Sequence, residues 1–248
     1  MSISISRTSN FKNDYITDLE LVLNLTQTLI DQYMGFEYLK RQITVFHNPE
    51  DCWPMVYFRE KLDSEYKINL GNHNSDWKRY VYQFAHEYCH IRTNYWQGGY
   101  RYSWFEESIC ELASHFTLIK LSYDWNKNPP YKHWEYYSEE LLNYSYLNRS
   151  SYSLGNPEQL KIFIKFKRSI FDNIQCPDDH DELRNDYKLI ALTLLPFFEN
   201  NPKLWLPLTY WNKWDLCDTD TIDEAFHKWI TILPVELKSL AKTLINLM

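Results

Sequence analysis

Residues 82–114 read YQFAHEYCHIRTNYWQGGYRYSWFEESICELAS, and how this stretch folds decides how the rest is read. Its apolar residues recur at helical spacing on both sides of Gly98-Gly99, so two helices are expected: 75–96 and 103–122. Ser75 or Asp76 caps the first and the glycine pair stops it. The first helix carries His86-Glu87-Tyr88-Cys89-His90, an H-E-x-x-H sequence. Residues four apart on a helix share one face, so two imidazoles there can converge on one ion. An ion of the zinc type sits about 2.0–2.1 Å from each nitrogen. Glu87 projects to the side, where a carboxylate reaches a water rather than the ion and takes its proton.

The flanks YVYQFA and IRTNYW are largely apolar and aromatic, which buries this helix. Buried histidines one turn apart need partners, and a metal supplies one. A catalytic metal site needs a third protein ligand and one open position. A third histidine six residues beyond His90 is absent: Thr93 and Trp96 stand where an H-x-x-G-x-x-H continuation needs Gly and His. No Asp occurs between Asp76 and Asp124. A glutamate of the second helix remains: Glu106, Glu107 or Glu111. Ser103-Trp104-Phe105-Glu106 has the form of a capping box, which gives Glu106 a task at the helix start. Glu107 and Glu111 share a face, so Glu107 is read as the metal ligand and Glu111 as the outer carboxylate on a ligand histidine.

HEYCH followed by WFEESICELAS resembles the gluzincin zinc peptidases, the clan of thermolysin and the aminopeptidase N type. The resemblance covers residues 66–125. It implies one Zn²⁺ held by His86, His90 and Glu107, Glu87 as general base, Glu111 behind a histidine, and a thermolysin-like catalytic core. It also implies that the strand before the motif helix, YKINL (66–70), is a sheet edge along which substrate backbone pairs, and that the C-terminal helices close the cleft. The G-x-M-x-N segment of aminopeptidase N-like members has no counterpart in INLGNHNSDW (68–77). The clan also places a Tyr or His as oxyanion donor; several lie between Tyr131 and Tyr187, and the sequence singles out none.

Outward from the motif, QITVFH (42–47), MVYFRE (55–60) and YKINL (66–70) alternate as short strands between turn residues. DLELVLNLTQTLIDQYM (18–34) is a helix, and residues 1–12 are read as polar and loose. After Asn128-Pro129-Pro130 everything reads as helical, with segments at 131–143, 157–173, 181–199, 203–212, 220–230 and 234–247. The expected fold class is α+β: a small, mostly antiparallel sheet with the motif helix, then an all-α region. The expected domains are a zinc-binding catalytic subdomain at 1–125 and a helical subdomain at 126–248.

Bulk properties narrow the function. A net charge of −7 disfavours nucleic acid and anionic membranes, both held by Lys and Arg. Five glycines leave no phosphate-cradling loop. Five widely spaced cysteines without C-x-x-C point to a reducing compartment, and Cys89 and Cys110 are read as small core residues. The N-terminal residues lack a basic start followed by an apolar run, so the expected location is cytoplasmic. The reading is a zinc metallopeptidase acting on a peptide or protein substrate. Its alternative is a non-catalytic zinc-containing module of the same fold that binds peptides or a protein. Oligomeric state and substrate identity are not encoded in any pattern found.

Overall fold

The computed structural model describes residues 3–6, 11, 13–35, 42–50, 53–57, 65–71, 75–95, 102–174, 179–215, 217 and 220–248, without the side chains of 148–152 and 179. Gly98-Gly99, Cys52 and Cys176 lie outside them. The fold is α+β: eight α-helices and one four-stranded sheet among the described residues. No described helix is long and apolar enough to cross a membrane.

The chain divides into two compact units, Met1–Cys89 with Ala113–Leu147, and His90–Leu112 with Asn148–Met248. The units interleave along the chain, where a single cut at 125/126 is expected from the sequence.

The first unit holds the sheet. Its strands β1 (Ile3–Ile5), β2 (Gln42–Phe46), β3 (Met55–Tyr57) and β4 (Glu65–Asn69) stand in the order β1-β2-β4-β3. The pairs β1–β2 and β2–β4 are parallel and β3–β4 is antiparallel. The sheet is therefore mixed, and the expectation of a mostly antiparallel sheet is corrected. Three strands in close succession suggest a meander, but β4 inserts between β2 and β3, with Val45 and Val56 both in register with Ile68. The expected edge strand, β4, is consequently internal, and among the described residues β3 is an edge. Residues 3–5, read as loose, form β1: Ile3 and Ile5 are buried while Ser4 faces the Thr44 hydroxyl at 3.3 Å. That is period-two alternation in three residues.

Helix α1 (Ile16–Met34) follows β1 and buries Leu19, Val22, Leu23 and Ile30. Helix α2 (Trp77–Arg92) buries Tyr80, Val81, Phe84, Ala85 and Tyr88. The Tyr88 hydroxyl donates to Asp31 Oδ1 at 2.7 Å, so its polar end is satisfied in the core. Helix α3 (Ser103–Lys127) runs antiparallel to α2. In the first unit the Ser114 hydroxyl donates to the Tyr82 carbonyl at 2.8 Å; in the second, His90 meets Glu106. Helix α4 (Tyr137–Tyr152) also starts in the first unit, where the Tyr137 hydroxyl accepts from the Trp77 amide at 3.2 Å.

The second unit is helical. It contains α5 (Pro157–Phe171), α6 (Asp179–Asn200), a 3₁₀ segment (Pro202–Tyr210), α7 (Ile222–Ile232) and α8 (Val235–Leu247). Its centre is aromatic and is built on the start of α3. Trp104 stacks on Phe171 at 4.9 Å, and Phe105 lies 4.5 Å from Trp211 and 5.2 Å from Phe226. The helices expected at 157–173, 181–199, 220–230 and 234–247 are present within about two residues, the usual scatter of helix ends.

Candidate metal centre

The site starts from helix α2. Between Tyr80 and Thr93 every residue is buried except Tyr82 and His86. Along residues 102–119 every residue is buried except Glu107. Two otherwise buried stretches thus each leave half-buried a side chain of a type that can ligate a metal. One ligand atom from each of His86, His90 and Glu107 lies within 4.8 Å of the others, a grouping that could hold a metal ion. His90 Nε2 is 3.5 Å from Glu107 Oε1. Two donors about 2 Å from a tetrahedral ion stand about 3.3 Å apart, so this pair already has the required separation. Imidazole nitrogen and carboxylate oxygen are donor types that zinc takes. The residues fit the ion.

The other nitrogen of His90 is also held. Nδ1 lies 3.3 Å from Glu106 Oε1. A ligand imidazole that hands its second N–H to a carboxylate is fixed in tautomer and orientation. Glu106 is the carboxylate that stands in this position beside His90 Nδ1. It also accepts from the Thr93 hydroxyl and, at 3.2 Å, from Asn212 Nδ2. The capping-box task read for Glu106 is therefore corrected: its oxygens point to His90, Thr93 and Asn212, and not to the amide of Ser103. Burial pushes the Glu106 carboxyl above the ordinary range, while the hydrogen bonds from His90 and Thr93 pull it back down.

The physical reason is helical geometry. Consecutive residues differ by about 100° around the axis, at 3.6 residues per turn. Glu106 and Glu107 therefore leave the helix about a quarter turn apart, and the His90 ring lies between them, Nδ1 toward Glu106 and Nε2 toward Glu107. Glu111, expected on a ligand histidine, is buried one turn beyond Glu107.

Glu87 is buried, and its Oε2 accepts the backbone amide of Val56 at 2.8 Å. Val56 lies on the edge strand β3, so the carboxylate and a sheet edge are adjacent. Cys89 is buried, as expected. Cys110 is buried too but is more than core: its Sγ lies 3.3 Å from His90 Nδ1 and 3.9 Å from Glu106 Oε1. His90, Glu106 and Cys110 form a second, wholly buried grouping that could hold a metal.

Four neighbours of the centre were missed from the sequence. Thr93 follows the motif by three residues and Asn212 lies 106 residues after Glu106, with no pattern to announce either. Tyr95, outside residues 131–187 where an oxyanion donor is expected, lies with its ring 4.6 Å from that of His90. Cys110 belongs to the same four. Two residues within that range are engaged together: His180 Nδ1 pairs with the Tyr187 hydroxyl at 2.8 Å and its Nε2 with Ser103 at 3.3 Å. His115 is buried against Ser145 and Tyr82.

Helix α2 ends at Arg92, before the glycine pair expected to stop it. Asn94 takes a left-handed φ of 59° and turns the chain there. Comparison with known proteins adds no relative: no family model, no curated protein and no solved structure matches this chain.

Proposed function

We propose that this protein is a zinc-dependent hydrolase of peptide bonds. The observation that carries the reading is the convergence of His86, His90 and Glu107 within 4.8 Å, with Glu106 bracing the far nitrogen of His90. Bound there, zinc supplies a Lewis acid that makes water nucleophilic near neutral pH.

The chain's own residues supply the rest. His86 and His90 present imidazoles from one face of α2, and Glu107 adds a carboxylate from α3. These three side chains would hold the ion, and with three protein donors there would be room for it to bind and activate a water. Glu87 follows His86 directly, accepts the proton of the attacking water and returns it to the leaving amine. The Val56 amide holds one Glu87 oxygen and so orients the carboxylate for that exchange. Edge strand β3 beside Glu87 favours an extended peptide, whose backbone can pair with a sheet edge.

The test is metal analysis with variants. Purified protein should carry about one zinc per chain, and His86→Ala should lose it. Glu87→Gln should keep the metal and lose hydrolysis of an unstructured protein substrate. Hydrolysis that survives in Glu87→Gln removes the mechanism.

The grouping of His90, Glu106 and Cys110 favours a second reading: a non-catalytic metal site closed off by burial, with no fourth protein donor among the described residues, in a peptide- or protein-binding module. Cys110→Ala separates the two. The hydrolase reading expects metal content unchanged, and the closed site expects it lost.

A further inference from the structure

Among the described residues only two non-glycine residues take a left-handed backbone: Asn94, with φ 59°, and Asn212, with φ 63°. Both belong to the second unit. They reach into each other's turns. Asn94 Nδ2 donates to the carbonyls of Thr209 and Trp211, each at 3.1 Å. Asn212 Nδ2 donates to the carbonyl of Thr93 at 3.1 Å and to Glu106 Oε2 at 3.2 Å. The turn after α2 and the turn after the 3₁₀ segment are thus tied twice, in opposite directions.

The two ties differ in what they hold. Asn94 binds only backbone. Asn212 binds the carboxylate that braces His90. It is buried, and its Oδ1 finds no partner among the described residues. An amide that leaves its acceptor end unpaired to aim its donor at two oxygens is fixed in orientation by those oxygens. Flipping it would set Oδ1 against the Thr93 carbonyl and a carboxylate.

We infer that Asn212 is a positioning residue for the metal centre: its side-chain amide locks Glu106 against His90 Nδ1 and so holds the ligand imidazole in place. This rests on the proposed metal site. Glu106 has two oxygens, and Thr93 with His90 occupies Oε1. Among the described residues Asn212 alone holds Oε2. Without it the carboxylate can rotate about its last torsion, and the Nδ1 bond loses its fixed acceptor.

The left-handed backbone supplies a clean variant. Glycine adopts φ near +60° at no steric cost, so Asn212→Gly keeps the turn and removes only the side chain. Metal affinity of the full chain is measured by competition with a chromophoric chelator, using zinc. Removal of an outer partner weakens metal affinity by about 10- to 100-fold; Asn212 acts through that partner, so Asn212→Gly should fall at the lower end, about 10-fold. Asn212→Asp, also at ease in this backbone, places a carboxylate against Glu106 and should fall at least as far. Cobalt-loaded Asn212→Gly should show a shifted visible absorption spectrum, which a loss of fold stability alone does not produce. Ile164→Val, a core trimming in the same unit, should lower the melting temperature and leave affinity unchanged. Wild-type affinity in Asn212→Gly, or an equal loss in Ile164→Val, overturns the assignment. A wild-type chain that binds neither zinc nor cobalt removes the metal-site reading, and this inference falls with it.

Discussion

His90 uses both ring nitrogens, and consecutive glutamates meet them: Glu107 near Nε2, Glu106 near Nδ1. This division predicts two different phenotypes. Glu87→Gln should leave zinc content intact and lower kcat by about 10²–10⁴, the usual worth of a general base. Glu106→Ala should do the opposite first, raising the zinc dissociation constant about 10- to 100-fold. Glu106→Gln keeps an acceptor for His90 but sets an amide against Asn212, so it should fall between Glu106→Ala and the native chain. Equal affinity in Glu106→Ala and the native chain would show that the bond at 3.3 Å does not orient the imidazole. Helical period puts His86 and His90 on one face, whereas the choice of Glu107 leans on a capping task that Glu106 does not perform. Glu106 was misread because S-x-x-E is a local pattern, and the partners that claim this carboxylate are His90, Thr93 and Asn212.

At the scale of elements the same pattern occurs again and is real. Thr221-Ile222-Asp223-Glu224 opens α7: the Thr221 side chain accepts the Glu224 amide, and Glu224 accepts the Thr221 amide at 2.8 Å. Both ends are exposed, so no buried partner draws the carboxylate away. Backbone and side-chain hydrogen bonds from Thr221 hold Glu224 below the usual carboxylate range. Thr221→Ala should lower stability by about 1 kcal/mol, read as a drop of about 2–4 °C in melting temperature for a chain this size. Most helix positions were legible because their apolar spacing runs over many residues; the exceptions are α4, expected at 131–143 and found at Tyr137–Tyr152, and the segment expected at 203–212, which is the 3₁₀ segment Pro202–Tyr210. Strand order was not. β1 is three residues long, and a three-residue alternation carries little weight against a polar terminus. The insertion of β4 between β2 and β3 is a long-range choice that no local period records.

For the molecule as a whole, a ligand that binds only the folded state raises stability by mass action. At a free concentration 100 times the dissociation constant the gain is about 2.7 kcal/mol, or roughly 5–10 °C. Zinc should therefore raise the melting temperature and a chelator should reverse it; a midpoint unmoved by either argues against the site. The interleaved units make a second prediction. Residues 126–248 expressed alone lack Trp104 and Phe105, which the aromatic centre of the second unit closes around. Each such side chain contributes about 1.5–3 kcal/mol when buried. The fragment should show helical far-UV circular dichroism but little near-UV signal. Adding residues 90–112 by circular permutation should restore it.

The tryptophans give each unit its own optical signature. In the first unit Trp134 lies 5.3 Å from Trp77 and 5.7 Å from Trp125. In the second, Trp211 lies 4.7 Å from Trp214 and 5.2 Å from Trp229, at 74° and 90° to them. Indoles this close share their excited states, and pairs held at a skew, as in both units, give paired bands of opposite sign. Trp211→Phe should erase the couplet of one unit and leave that of the other. Unfolding watched through these two couplets separates the melting of the sheet-bearing half from that of the helical half, without any attached dye.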